Sequence, residues 1–203
     1  GLPYMTIGHN EHISWTVTAL GADTADVYEL TLNPDNSLQY LYDGEWRGLN
    51  PERITISVKT EKGIEQLGRN VFYSHYGPVV QKNNNKAYAF KIAYDNELVG
   101  HLEPYGQLNK AKNLTEFLHV LSLKAFTPMN WMYGDVEGNT YYQRTGRVPS
   151  RPEGYDWTRF VPGNTSKTEW LGFHDNAELV QTLNPPSGWM QNCNVSPKAM
   201  TMD

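Results

Sequence analysis

From residue 13 to residue 94, turn-forming Gly, Pro, Asn and Asp recur at short intervals. The runs between them are too short for independent helices and are rich in β-branched and aromatic side chains, a pattern that commits this half of the chain to antiparallel strands. "ISWTVTAL" (13–20) and "VYELTL" (27–32) read as strands, with "GADTAD" as a small polar turn between them. "NPDNS" (33–37) is a loop. After it, "LQYLY" and "EWRGL" flank Asp43-Gly44, a hairpin signal because both central residues of the tight turn need positive φ. "ITISVKT" (54–60) alternates strictly, which predicts a strand with one wet face, and "NVFYSHYGPVV" (70–80) and "KAYAFKIAY" (86–94) are further strands around the polar "QKNNNK".

The period then changes. In "NLTEFLHVLSLKAF" (113–126), Leu114, Phe117, Leu118, Leu121 and Ala125 fall on one helical face, Asn113 is placed to cap with Glu116 three residues on, and His119 lies off the stripe in solvent. "NWMYGDVEGNTYYQRTG" (130–146) is a hairpin turning at Glu137-Gly138-Asn139. Residues 147–167 form a long Pro/Gly-containing segment, of the kind that packs as an Ω-loop or carries function. "DNAELVQTL" (175–183) suggests a short helix, and "NPPSGWMQNCNVSP" a turn, a strand over 189–193 and a Pro stop. No repeat, low-complexity tract or linker interrupts the chain, so the expectation is α+β, mostly antiparallel β, in one continuous segment over 1–203.

Composition narrows the function. A net charge of −5 over 203 residues with no Lys/Arg run gives no electrostatic basis for a nucleic-acid partner, and no apolar run has the length of a membrane helix. Cys193 is the one cysteine, so an internal disulfide is excluded. The six histidines are scattered. His9 and His12 alone are close, and no Cys/His set has zinc spacing. Nucleophile-elbow, phosphate-loop and dinucleotide motifs are absent.

Taken in order, the segments resemble one family. "GLPYMTIGHNEHISWTVTA" resembles the strand-turn-strand that follows the nucleophile in penicillin acylases and their relatives, the aculeacin-type and acyl-homoserine lactone acylases. "YLYDGEW", "SHYGPVV", "NWMYGDVEGNTYYQRTGRVPSRP", "VPG" and "NPPSGWMQNCNVSP" follow in the family's order and spacing along the whole chain. The resemblance implies the αββα sandwich of the N-terminal nucleophile hydrolases, here its central β-chain portion. It also implies a linear amide as substrate, of penicillin or acyl-homoserine-lactone type, in antibiotic chemistry or quorum quenching. In such zymogens, self-cleavage frees a serine whose own α-amine, titrating near pH 8, acts as base. That serine is expected upstream of Gly1, so these residues alone are expected to be inactive, with the precursor's α-chain and the rest of its β-chain as partners. Export to the periplasm or medium is a further implication.

Site residues follow from the same resemblance. The oxyanion donors correspond to the backbone N–H of Ala19 and the amide of Asn194, which matches better than Asn192. On the residues alone, Asn194 reads equally as a turn residue before Pro197. A Ca²⁺ site is implied at Asp23, Asp26 and the carbonyls of Ala25 and Trp157, oxygen ligands that suit a hard cation, although Asp23 and Asp26 also read as plain turn residues. The acyl pocket corresponds to Ile7, Val17 and Met129, which core packing would explain equally. Two other readings stay open: a non-catalytic binding domain on the same scaffold, and a metal-dependent hydrolase using Asp23, Asp26 and nearby histidines.

Overall fold

The computed structural model describes residues 3–94 and 102–195. Strands β1 (Gly8–His9) and β2 (Ile13–Ala19) lead into seven more: β3 (Ala25–Asn33), β4 (Asn36–Tyr42), β5 (Glu45–Gly48), β6 (Asn50–Thr60), β7 (Gly63–Ser74), β8 (Gly77–Asn83) and β9 (Lys86–Ile92). Helices α1 (Leu102–Lys110) and α2 (Leu114–Ser122) come next. They precede β10 (Met129–Asp135), β11 (Thr140–Arg144), β12 (Pro149–Ser150), β13 (Val161–Pro162), β14 (Gly172–Phe173) and β15 (Gln181–Leu183). The architecture is α+β and mostly antiparallel. Among the described residues no helix is long and apolar enough to cross a membrane.

These elements form two compact units, one of Gly1–Thr24, Ala93–Ser150 and Gly172–Asp203, the other of Ala25–Ile92 and Arg151–Leu171. The sequence reads as one unit because no linker composition marks the crossings. Two of them fall where Ala25 opens β3 and Ile92 closes β9, residues paired with each other in the ladder.

The first unit is a five-stranded sheet, β1-β2-β10-β11-β15. Period-2 alternation sends Ile13, Trp15, Trp131, Tyr133 and Tyr141 to one face, where they pack with Leu108, Phe117, Val120, Leu121 and Phe126. Helix α2 starts where expected: the Asn113 side chain accepts the Glu116 N–H at 2.9 Å. Of the expected stripe, Phe117 and Leu121 are buried and Leu114 and Leu118 packed at the edge, with His119 exposed; Ala125 falls beyond the helix, which ends at Ser122, and Val120, off the stripe, is buried too. The turn between β10 and β11 is organised by Asp135, whose carboxylate accepts the N–H groups of Glu137 and Asn139.

Two expectations in this unit are corrected. "DNAELVQTL" is a single 3-10 turn, Asn176–Glu178, followed by β15, which pairs with β11 through Tyr141↔Leu183 and Tyr142↔Thr182. The open backbone edge of β11 supplies partners that a short isolated helix would lack. Residues 189–193 form no strand. Side-chain amides organise this stretch instead, as described below.

In the second unit seven strands run β5-β4-β3-β9-β8-β7-β6, with β13 pairing in parallel to β3. Asp43 and Gly44 take φ of 48° and 85°, as the hairpin signal required. Tyr28, Leu30, Tyr40, Tyr76, Ala87 and Ala89 form the core. The long Pro/Gly segment packs rather than dangles: Val161 is buried in this core, and Gly163 lies so close that a Cβ there would stand 2.6 Å from Leu30 Cδ2. The β6–β7 hairpin differs from expectation in having no buried face: Ile54, Ile56 and Val58 remain 36%, 51% and 37% exposed.

Candidate functional site

Strand β2 and the chain around residues 192–195 come together at the end of the five-stranded sheet. The backbone N–H of Ala19, the last residue of β2, donates to Asn194 Oδ1 at 2.8 Å. The two residues matched to the oxyanion donors are therefore in direct contact across 175 positions of sequence. A backbone N–H demands an acceptor, and here the amide oxygen of Asn194 supplies it. Asn194 has φ of 60°, in the left-handed region that Asn tolerates better than most residues.

Asn192 is fully occupied elsewhere. Its Oδ1 accepts from Thr18 Oγ1 at 2.6 Å, from Asn130 Nδ2 at 3.2 Å and from the Val195 N–H at 3.2 Å, and its Nδ2 donates to Val195 O at 3.3 Å. Its amide is a structural tie. Asn194, of the two, stands at Ala19.

The residues matched to the acyl pocket divide. Met129 pairs directly with Ala19, Val17 pairs with Trp131, and both Met129 and Val17 are partly buried against the helix-facing core. Register thus gathers Val17, Ala19 and Met129 at one corner of the sheet. Ile7 lies outside the regular strands and is 55% exposed.

The residues matched to calcium ligands also divide. Asp23 is exposed and belongs to the first unit, whereas Ala25, Asp26 and Trp157 belong to the second. Asp26 is 3% exposed. Its Oδ2 accepts from Arg151 Nε at 2.8 Å and Trp170 Nε1 at 2.6 Å, while its Oδ1 is buried without a hydrogen-bond partner among the described residues. An orphaned carboxylate oxygen is costly unless something occupies it, and a hard cation suits it. His9 and His12 line a cleft of about 370 Å³ with Asp135. That carboxylate is consumed by Tyr133, Glu137 and Asn139, which hold it below the usual carboxylate range against the upward push of burial. No cluster of three or more His, Cys, Asp or Glu suited to a metal occurs among the described residues.

One residue that bonds the site's segments, Asn130, escaped the sequence reading. Asn130 is 1% exposed inside the aromatic run of β10. A lone amide amid "MNWMY" is the signal that would have found it, since a buried amide must find partners. Arg144 lies directly opposite Asn130 in register. Burial pushes its guanidinium pKa down, and its Nε is buried with no partner among the described residues.

The penicillin amidase family model matches residues 1–202. The penicillin G acylase of Escherichia coli is 34% identical over 198 residues, which is 97% of this chain and 23% of that protein. The acyl-homoserine lactone acylase PvdQ of Pseudomonas fluorescens is 32% identical over 159 residues, 74% of this chain and 20% of that protein. Among solved structures, a thermostable penicillin G acylase from Alcaligenes faecalis superposes with a TM-score of 0.87 at 31% identity, covering 96% of this chain and 35% of its own. The chain thus spans about a fifth to a third of these relatives' lengths.

Proposed function

The chain belongs to the penicillin amidase family, and from that premise we propose that it supplies the oxyanion-stabilising part of an amidohydrolase that cleaves a linear N-acyl amide of penicillin or acyl-homoserine-lactone type. In this reading the nucleophile is the N-terminal serine that the family resemblance implies. The serine hydroxyl attacks the amide carbon, its α-amine takes the proton, and the carbonyl oxygen becomes the oxyanion. The Ala19 N–H and the Asn194 amide stabilise that charge, while Met129 and Val17 flank the acyl group. The observation that carries this reading is the 2.8 Å contact between Ala19 N–H and Asn194 Oδ1.

The same reading includes a calcium ion, for which the resemblance implies Asp23, Asp26 and the carbonyl oxygens of Ala25 and Trp157 as ligands; the orphaned Asp26 Oδ1 supports it. Association with the α-chain and the remaining β-chain of one precursor, and export from the cytoplasm, belong to the reading as well.

The test uses the full-length gene product assayed against phenylacetyl amides and N-acyl homoserine lactones. Asn194→Ala is expected to lower kcat by about 10²–10³ with KM little changed, the usual cost of losing one oxyanion donor. A variant that keeps kcat within threefold of wild type refutes the assignment.

A further inference from the structure

We propose that Asn130 is a positioning residue that holds Asn194 at Ala19; this rests on the acylase reading above. Asn130 is all but inaccessible at 1% exposure, and one nitrogen serves both sides of the site. Its Nδ2 lies 3.2 Å from Thr18 Oγ1 and 3.1 Å from Ala19 O on β2, and 3.2 Å from Asn192 Oδ1 and 3.4 Å from Val195 O across the gap. Two N–H bonds shared among four acceptors tie the last residues of β2 to the residues flanking Asn194.

The orientation of this amide is itself fixed. Asn130 Oδ1 accepts the Tyr142 hydroxyl at 2.7 Å, and Tyr142 is 4% exposed on the neighbouring strand β11. Reversing the amide would turn the NH₂ away from four acceptors and aim an oxygen at the carbonyls of Ala19 and Val195, so only one orientation is satisfiable. Asn192 completes the link by bonding Val195 from both ends of its side chain, which encloses Asn194 in a short loop with both ends pinned. Residues 189–193 have no strand partner, so this amide cluster is what sets the loop's height against β2. The Asn194 side chain meets the Ala19 N–H because its backbone is held there.

The experiment compares Asn130→Ala, Tyr142→Phe, Asn194→Ala and the Asn130→Ala/Asn194→Ala pair in the full-length gene product. It reads kcat and KM separately and also the hydrogen-exchange rate of the Ala19 amide. Asn130→Ala is expected to lower kcat by about 10–100-fold with KM within about threefold, the range found for groups that orient a reacting group. In the Asn194→Ala background it adds little, because the residue it positions is gone. Ala19 exchange accelerates about tenfold or more in Asn130→Ala, whereas a purely structural role would speed exchange across the whole sheet. If Asn130→Ala prevents folding, Tyr142→Phe, which removes one hydroxyl, decides by the same two readouts with a smaller loss. If Asn194→Ala is impaired while the Asn130 and Tyr142 variants keep wild-type kcat and Ala19 exchange, the inference fails and the acylase reading stands. A full multiplicative loss in the double variant also overturns it. If Asn194→Ala leaves kcat unchanged, the acylase reading fails, and Ala19 exchange still decides whether Asn130 holds Asn194 in place.

Discussion

Replacing Asn10 by Ala should destabilise the first unit. Asn10 precedes β2, and its side chain makes four hydrogen bonds. Oδ1 accepts the N–H groups of His12 at 2.8 Å and Ile13 at 2.9 Å, and Nδ2 donates to the carbonyls of Asn109 at 3.2 Å and Ala111 at 2.8 Å. One amide thereby shapes the turn into β2 and fastens it to the end of α1. Each such bond contributes about 0.5–1.5 kcal/mol net. Ile13 is 2% exposed, so water cannot readily replace the acceptor its N–H loses. The sum, allowing for shared effects, is about 2–4 kcal/mol. In urea, with a slope of about 2 kcal/mol/M, the midpoint falls by roughly 1–2 M, or the Tm by roughly 5–12 °C. Asn10→Asp separates the two halves of the argument, because it keeps the acceptor for His12 and Ile13 and sets a carboxylate against two carbonyls. It should be at least as destabilising as Ala. A midpoint for Asn10→Ala within 0.3 M of wild type at unchanged slope, or an Asp variant as stable as wild type, would refute the reasoning.

Other outcomes follow from the same reading of contacts. Burial pushes the Glu169 carboxyl up, but His75 and Lys91, at 2.8 and 3.0 Å, overcome this and hold it down at about 2. Because the folded pKa is depressed, the stabilisation is fully present above about pH 4.5 and is lost as pH falls toward 2; partial exposure limits it to about 1 kcal/mol. Urea titrations of wild type and Glu169→Gln should therefore separate at pH 6 and converge below pH 3; parallel curves would contradict the linkage. Phe117→Ala, at a side chain with no exposure between the sheet and α2, should cost about 3–5 kcal/mol by chemical denaturation. Gly77 has φ of 137°, and a Cβ there would stand 2.3 Å from Phe90 O, so Gly77→Ala should cost about 2 kcal/mol or more and lower the Tm accordingly. Calcium should raise the Tm of the wild-type chain and leave that of Asp26→Asn unmoved, as read by a thermal scan with and without chelator.

Where local chemistry suffices, the sequence is legible. Alternation in β3, the Asp43-Gly44 turn and the Asn113 cap of α2 all depend on neighbours a few residues away, and all appear as read. The failures lie where a distant edge competes. "DNAELVQTL" carries a helical pattern, yet β11 offers it a ladder. "ITISVKT" alternates, yet nothing in its own composition says whether its apolar side is covered. Asn192 and Asn194 lie two positions apart in one polar run, and only the fold makes one a tie and the other the partner of Ala19. Motif order identified the family and singled out Ala19 and Asn194, because each motif preserves a local geometry. The tertiary structure decided that those positions meet, and that a buried amide on β10 stands between the segments carrying them. Hydrogen bonds between residues more than a hundred positions apart are set by strand register and burial, and no local pattern in the chain encodes them.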